Sequence, residues 1–305
     1  MTGPRLWAIV GATGTGKSDL AIDLAEALRE QGNPAEIVNA DAMQLYRGMD
    51  VGTAKVPMGE RRGVPHHLFD VLEVDEDAAV AWYQPRARAA VEDIHRRGGD
   101  AILVGGSGLY VSSVVFDFRF PPRDAELRER LERELETHGT AQLLERLRIL
   151  DPEAAARVDP RNPRRVVRAL EVLEQGSATH GAALPERPVL WHPHTRLIGL
   201  RVDRAALVER LDARVERMWD GGILTEVGEL RARGLERGTT APRAIGYAQA
   251  LAQLEGSLTE REAIAQTQAL TRRYARRQVS WFKRYPDLEW WDAPTEAATL
   301  LGRVS

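Results

Sequence analysis

The feature that most restricts this chain is the run Gly11-Ala12-Thr13-Gly14-Thr15-Gly16-Lys17-Ser18, because of what stands on either side of it. Leu6 to Val10 precedes it as a short apolar run. Leu20, Ala21, Leu24, Ala25 and Leu28 follow at helical spacing, until Gly32 stops the pattern. A Gly-x4-Gly-Lys-Ser loop between a strand and a helix is a phosphate cradle of the nucleotide- and ATP-binding type. Its glycines let the backbone wrap an anion, its N–H groups point inward, and the helix N-terminus adds partial positive charge. Lys17 supplies a mobile cation, and the Ser18 hydroxyl suits a Mg2+ ligand. The cradle implies a diphosphate and leaves open which one.

Beyond this unit the rhythm continues. Ala35 to Ala40 reads as a second strand ending at Asp41, a helix is expected over about Trp82 to Arg97, and Ala101 to Val104 reads as a buried strand running into Gly105-Gly106-Ser107-Gly108. Alternating strands and helices predict an α/β fold, a P-loop NTPase-like, doubly wound parallel sheet. Pro121-Pro122 breaks the alternation, and the charged, helical stretch from Asp124 to Gly181 reads as an inserted all-helical subdomain. The segment from Gly181 to His194 reads as the return linker, Leu197 to Val202 as a returning strand, and the rest as mainly helical to Tyr285, with a short tail containing Trp290-Trp291. The expected divisions are 1–123 for the first part of the core, 124–190 for the insert, and 191–305 for completion of the core.

Composition excludes several classes. The chain has 305 residues, no cysteine and a net charge of −3, so there is no disulfide framework or thiolate chemistry, and nucleic-acid affinity must come from a local basic surface. No stretch approaches the ~20 apolar residues that cross a bilayer. The glycine-rich loop begins about ten residues from the N-terminus, leaving no room for a signal peptide. A cytoplasmic protein is expected.

Asp41 follows the second strand, at the carboxyl edge where such sheets bind ligands. On position alone it is equally a turn cap and a carboxylate that takes a proton or holds magnesium through water. An ordinary ATP enzyme adds an acid at the end of a buried strand to hold magnesium, and here the obvious strand runs into glycines instead. The stretch NADAMQLYRGMDVGTAKV (39–56) closely resembles the signature of the bacterial tRNA dimethylallyltransferases, or tRNA isopentenyltransferases. GATGTGKS, PHHLFDV (65–71), VGGSGLY (104–110), NPRRVVRALEV (162–172), ERLDARVERMWDGGILTEV (209–227) and AIGYAQA (244–250) match it in the same order, from about residue 8 to 285.

That resemblance implies a magnesium-dependent prenyl transfer from dimethylallyl diphosphate to the exocyclic N6 amine of adenosine 37, beside the anticodon, in tRNAs reading codons that begin with U. Residues 11–18 then hold the donor diphosphate, with Lys17 on it and Ser18 on Mg2+; the family often has threonine at the latter place. Asp41 matches the general base and Arg214 the arginine that also meets the diphosphate. Without the family, Arg214 is one more arginine on a charged helix. Ser107 stands where the family's usual motif has threonine, near the target adenine. Among residues implied to meet the tRNA anticodon stem-loop are Asp41, Ala42, Met43, Gln44, Ser107, Arg164, Arg165 and Arg168. Arg243, Gly246 and Tyr247 belong to a further tRNA-facing segment, where Ala248 replaces a common cation. A monomer is the family expectation.

The segment from Thr271 to Tyr285 has six cations and no acid, interleaved with Tyr274, Trp281, Phe282 and Tyr285. That mixture suits phosphate contact and base stacking, or else a basic amphipathic helix whose aromatics are core. Two other readings compete. A small-molecule P-loop kinase accounts for residues 11–18 but not for 39–56. An adenylate dimethylallyltransferase acting on free AMP or ADP has no use for an extended basic surface.

Overall fold

The computed structural model describes residues 3–117, 120, 124–176 and 188–302; Pro121-Pro122 and the linker residues up to 187 lie outside them. Six strands, β1 (Leu6–Gly11), β2 (Ala35–Asn39), β3 (His66–His67), β4 (Asp100–Gly105), β5 (Thr195–Arg201) and β6 (Glu289–Asp292), form one parallel sheet in the order β3-β2-β4-β1-β5-β6. β1 and β4 are buried along their whole length, as strands covered on both faces must be. The helices are α1 (Lys17–Glu30), α2 (Val80–Arg96), α3 (Gly108–Val115), α4 (Ala125–Leu150), α5 (Pro152–Arg157), α6 (Pro163–Glu174), α7 (Arg204–Asp220), α8 (Ile223–Ala232), α9 (Tyr247–Leu254), α10 (Glu260–Phe282) and α11 (Ala297–Gly302).

The strand order explains how the helices are distributed. The crossover from β1 to β2 runs one way along the sheet, while those from β3 to β4 and from β4 to β5 run the other way. Right-handed crossovers therefore lay α1 on one face and α2 and α3 on the opposite face. Leu20, Ala21, Leu24, Ala25 and Leu28 of α1 pack with Trp7, Ile9, Ile37, Ile102 and Ile198 of the sheet and with Leu300 of α11. At the amino edge, buried Asp100 accepts from Trp7 Nε1 and from Arg5 N, both at 2.8 Å, which locks β4 to β1.

The chain divides into two compact units, Met1–Asp117 with Arg187–Ser305, and Phe118–Glu186. These divisions fall a few residues before the expected ones. The reason is that Val115 and Asp117 hydrogen-bond Trp191 and Val189 (2.9 and 2.8 Å) and draw both crossings into the larger unit. The smaller unit has its own core, in which Leu131, Leu143, Leu147, Val166 and Leu170 meet. Gly139, at φ 77°, breaks the helical path of α4. Asp124, Asp151 and Asn162 cap α4, α5 and α6, with proline opening the last two.

Strands β3 and β6 were not anticipated. β3 has two residues, too few for any periodicity. β6 is the Glu-Trp-Trp-Asp of the expected tail, and it pairs with β5 where Gly199 leaves room for Trp290. At the carboxyl end of β4, Gly105 passes Ala40 so closely that a Cβ would lie 2.3 Å from the Ala40 carbonyl oxygen. The obstructing atom belongs to backbone, so it cannot turn aside. Gly105→Ala is expected to destabilise the protein by about 2 kcal/mol or more, measured by chemical denaturation; an unchanged midpoint would contradict the contact.

Candidate active site

The loop after β1 folds as the sequence requires. Gly14 and Gly16 take φ of 80° and 83°, the left-handed region that glycine enters without strain. Gly16 sits at the start of α1, and no side chain caps that helix. The first N–H groups of α1 thus stay directed at the loop's interior, available to an anion. Buried Thr15 turns its hydroxyl inward onto the Ala12 carbonyl at 2.9 Å. Lys17 Nζ donates to the same carbonyl at 2.7 Å.

Asp41 stands across from this loop, just past the end of β2. Its Oδ1 accepts from Met43 N at 3.0 Å, capping a short 3-10 turn over Ala42–Leu45. Asn39 fixes its backbone from below: Asp41 N donates to Asn39 Oδ1 at 2.9 Å, and Asn39 Nδ2 donates to the Asp41 and Leu68 carbonyls, both at 3.1 Å. Asp41 is thus a turn cap, and its Oδ2 takes no part in that cap. Ser107 closes the group by accepting from Ala42 N at 3.2 Å, which ties the end of β4 to the end of β2.

Electrostatics link these residues. Burial lowers the Lys17 ammonium to about 8 from an ordinary 10.5; Asp41 counteracts this and Arg214 adds to it. Burial likewise lowers the Arg214 guanidinium, with Asp41 opposing. Arg214 reaches in from α7 and donates to the Thr53 carbonyl at 3.0 Å, the same oxygen that Gln44 Nε2 meets at 3.3 Å. Two cations and one carboxylate thus share a poorly solvated space. The loop carrying Thr53 is itself braced. Buried Lys55 donates to the Tyr46 carbonyl and to Asp50 and Asp70 at 2.6–2.9 Å. Glu226 of α8 accepts from Asp50 N and Val51 N at 3.0 and 2.8 Å.

Other predicted residues are placed elsewhere. Ala42, Met43 and Gln44 line the turn after Asp41, each partly exposed. Arg243 is exposed beside buried Gly246. Tyr247 departs from the expected RNA-facing role: it is fully buried, its hydroxyl donates to Glu226 at 2.5 Å, and its ring presses on Gly52. In the smaller unit, Arg164 and Arg165 are exposed on α6, whereas Arg168 pairs with buried Glu171 at 3.0 Å. Along α10, Phe282 and Tyr285 are core rather than stacking surface. Arg272 is committed to Asp212 at 2.6 Å, and Arg273, Arg276 and Arg277 are exposed.

On α10, sequence reasoning read Tyr274 only as a stacking or core aromatic and passed over Gln278. Tyr274 lies in hydrogen-bonding reach of Ser107 and Gln278; burial first, and then Asp41, push its phenol up to about 12. Gln278 is buried between the two glycine-rich loops, its Oε1 accepting from Thr13 N at 2.9 Å and its Nε2 donating to the Gly106 carbonyl at 3.0 Å. Gln278 occurs in the basic segment, where the arginines and aromatics drew attention instead. A hollow of about 820 Å³ bordered by Pro4, Arg5, Asn33 and Asp100 lies at the amino ends of the strands, the wrong end of the sheet for a ligand.

The Lys17 shift has a pH consequence. Below about 8 the group is charged and attracts an anion; as pH rises through that value the attraction is lost. Affinity of the free protein for inorganic diphosphate should fall between pH 7 and 9.5, whereas Lys17→Arg, which stays charged, should hold its affinity. Parallel calorimetric titrations of the two check this, and identical pH profiles would count against it.

Comparison with known proteins identifies the family. The family model described as IPP transferase matches residues 44–285. A tRNA dimethylallyltransferase of Clavibacter sepedonicus is 60% identical over 92% of this chain and 91% of its own length. One from Kineococcus radiotolerans is 56% identical over 95% and 91%. A crystal structure of the full-length tRNA isopentenylpyrophosphate transferase from Bacillus halodurans superposes with a TM-score of 0.70 at 35% identity, covering 98% of this chain and 95% of that one. A eukaryotic dimethylallyltransferase acting on tRNA gives a TM-score of 0.82 at 28% identity, over 98% and 78%. With the family model matching residues 44–285, and relatives of this identity along nearly its whole length, the chain belongs to the IPP transferase family.

Proposed function

We propose that this protein transfers a dimethylallyl group from dimethylallyl diphosphate to the N6 amine of adenosine 37 in tRNAs reading codons that begin with U. The observation that carries the reading is the sharing of one desolvated space by Lys17, Arg214 and Asp41. An anion-binding side and a proton-accepting side face each other there. The N6 lone pair attacks the allylic C1 as the C1–O bond breaks. The bonding pair leaves with diphosphate, and the N6 proton passes to Asp41. Lys17, Arg214 and the N–H groups of residues 14–18 meet the charge that grows on the leaving oxygen.

A divalent ion fits these residues as one shared with the substrate. Among the described residues no three His, Cys, Asp or Glu converge, so there is no all-protein cage. Ser18, first turn of α1, supplies a hydroxyl, and a Mg2+ completed by diphosphate oxygens and water needs no more. When bound, it would neutralise leaving-group charge.

The acceptor must leave its stack to reach Asp41, at a cost of about a few kcal/mol. Ser107 and Gln44 offer polar contacts to a base edge, and Met43 an apolar one. Exposed Arg164 and Arg165 on the helical unit, and Arg273, Arg276 and Arg277 on α10, are suited to RNA phosphates. No helix among the described residues is long and apolar enough to cross a membrane. We read the protein as a cytoplasmic monomer.

Asp41→Ala should lower turnover of labelled dimethylallyl diphosphate with unmodified tRNA by about 10²- to 10⁴-fold while leaving donor affinity within a few-fold. Normal turnover would remove Asp41 as the base. Wild-type protein that instead consumed ATP without RNA, or prenylated AMP, would overturn the acceptor assignment. Replacing Arg273, Arg276 and Arg277 by glutamine should weaken RNA binding and flatten its salt dependence, by about two units of log–log slope. Fluorescence anisotropy at several salt concentrations reads both quantities, and an unaltered slope would take these arginines off the RNA.

A further inference from the structure

One side chain outside the set of residues assigned to the reaction joins its two halves. The Gln278 amide lies at 3% exposure between the phosphate cradle and the loop after β4. Its Oε1 accepts from Thr13 N at 2.9 Å, and its Nε2 donates to the Gly106 carbonyl at 3.0 Å. A primary amide can do both at once, since it presents an acceptor oxygen and a donor nitrogen on neighbouring atoms. The space is shaped for it: a Cβ on Gly106 would lie 2.2 Å from Gln278 Nε2. The helix behind it is held firmly. Trp281 Nε1 donates to Ser112 Oγ at 3.1 Å, and Tyr285 shares a 2.7 Å hydrogen bond with the same hydroxyl. One turn earlier, Tyr274 adjoins Ser107 and Asp41. The amide therefore has a rigid mount.

We propose that Gln278 is a positioning residue that sets the spacing between the donor cradle and the acceptor loop, and so the distance from the allylic carbon to the attacking nitrogen. The proposal rests on the reaction assigned above. Thr13 belongs to the loop that holds the diphosphate, and Gly106 adjoins Ser107, whose hydroxyl is bound to Ala42 beside Asp41. Through Gln278 the two loops are joined in one continuous chain: Thr13, Gln278, Gly106, Ser107, Ala42, Asp41. Such a chain acts on approach geometry more than on binding. A misplacement of about 1 Å at this kind of site costs roughly 10²-fold in rate.

Gln278→Met keeps the length and volume of the side chain and removes both hydrogen bonds. Its kcat should fall roughly 10²-fold, with the KM for dimethylallyl diphosphate and the Kd for tRNA within three-fold of wild type. Gly106→Ala strikes the same contact from the other side and should show the same split. In the double variant the losses should not multiply. A kcat within two-fold of wild type in Gln278→Met overturns the proposal. So does a loss carried by tRNA affinity, by the folded fraction in a thermal melt, or by effects that simply multiply in the double variant. Wild-type protein assayed beside the variants separates the two hypotheses: no prenyl transfer by the wild type sinks the assigned reaction, while normal transfer by Gln278→Met sinks only the role of Gln278.

Discussion

The carboxyl edge of the sheet is held together by backbone contacts that tolerate no side chain. A Cβ on Gly11 would lie 2.6 Å from the Leu200 carbonyl oxygen, and one on Gly105 would lie 2.3 Å from that of Ala40. These approaches bring the ends of β1, β2, β4 and β5 closer than residues with side chains permit. The loops after those strands must consequently emerge into one small volume. Phosphate cradle, turn carboxylate and acceptor loop meet because the strands beneath them are pressed together.

What they enclose is electrostatically incomplete. Lys17 and Arg214 are both disfavoured by burial, with Asp41 as the carboxylate acting on each. Lys17 spends its hydrogen bond on the Ala12 carbonyl, a neutral partner for a desolvated cation. A diphosphate bound as proposed would replace that partner with a charged one, and the attraction is strong where water is scarce. The surroundings are stiff enough to bear the imbalance, since Lys55 and Glu226 both brace the loop that carries Thr53.

Helix α10 divides its labour between two faces. Toward the interior it presents Tyr274, Gln278, Phe282 and then Tyr285, which touch both glycine-rich loops or fill the core behind them. Toward solvent it presents Arg273, Arg276 and Arg277. The helical unit adds its own exposed Arg164 and Arg165, on a scaffold whose core of leucine and valine closes independently of the sheet.

How much was legible in the sequence depended on whether the signal was local. The Gly-x4-Gly-Lys-Ser loop, the strand before it and the helix after it followed from residues 6–32, because glycine conformations and helical spacing are written over short stretches. So were the insert and the location of Asp41. The sequence also marked Tyr247, Arg168, Phe282 and Tyr285 by type, as aromatic or cationic residues in promising segments, yet type does not tell which way a side chain points. Glu226 takes Tyr247, Glu171 takes Arg168, and the core takes the two aromatics. Gln278 left no local trace, since its meaning lies in two hydrogen bonds that span 265 and 172 residues. The chain by itself determined the cradle and the elements that carry it. Only the tertiary structure decided which distant side chains hold it in register, because those partners become neighbours only once the sheet has closed.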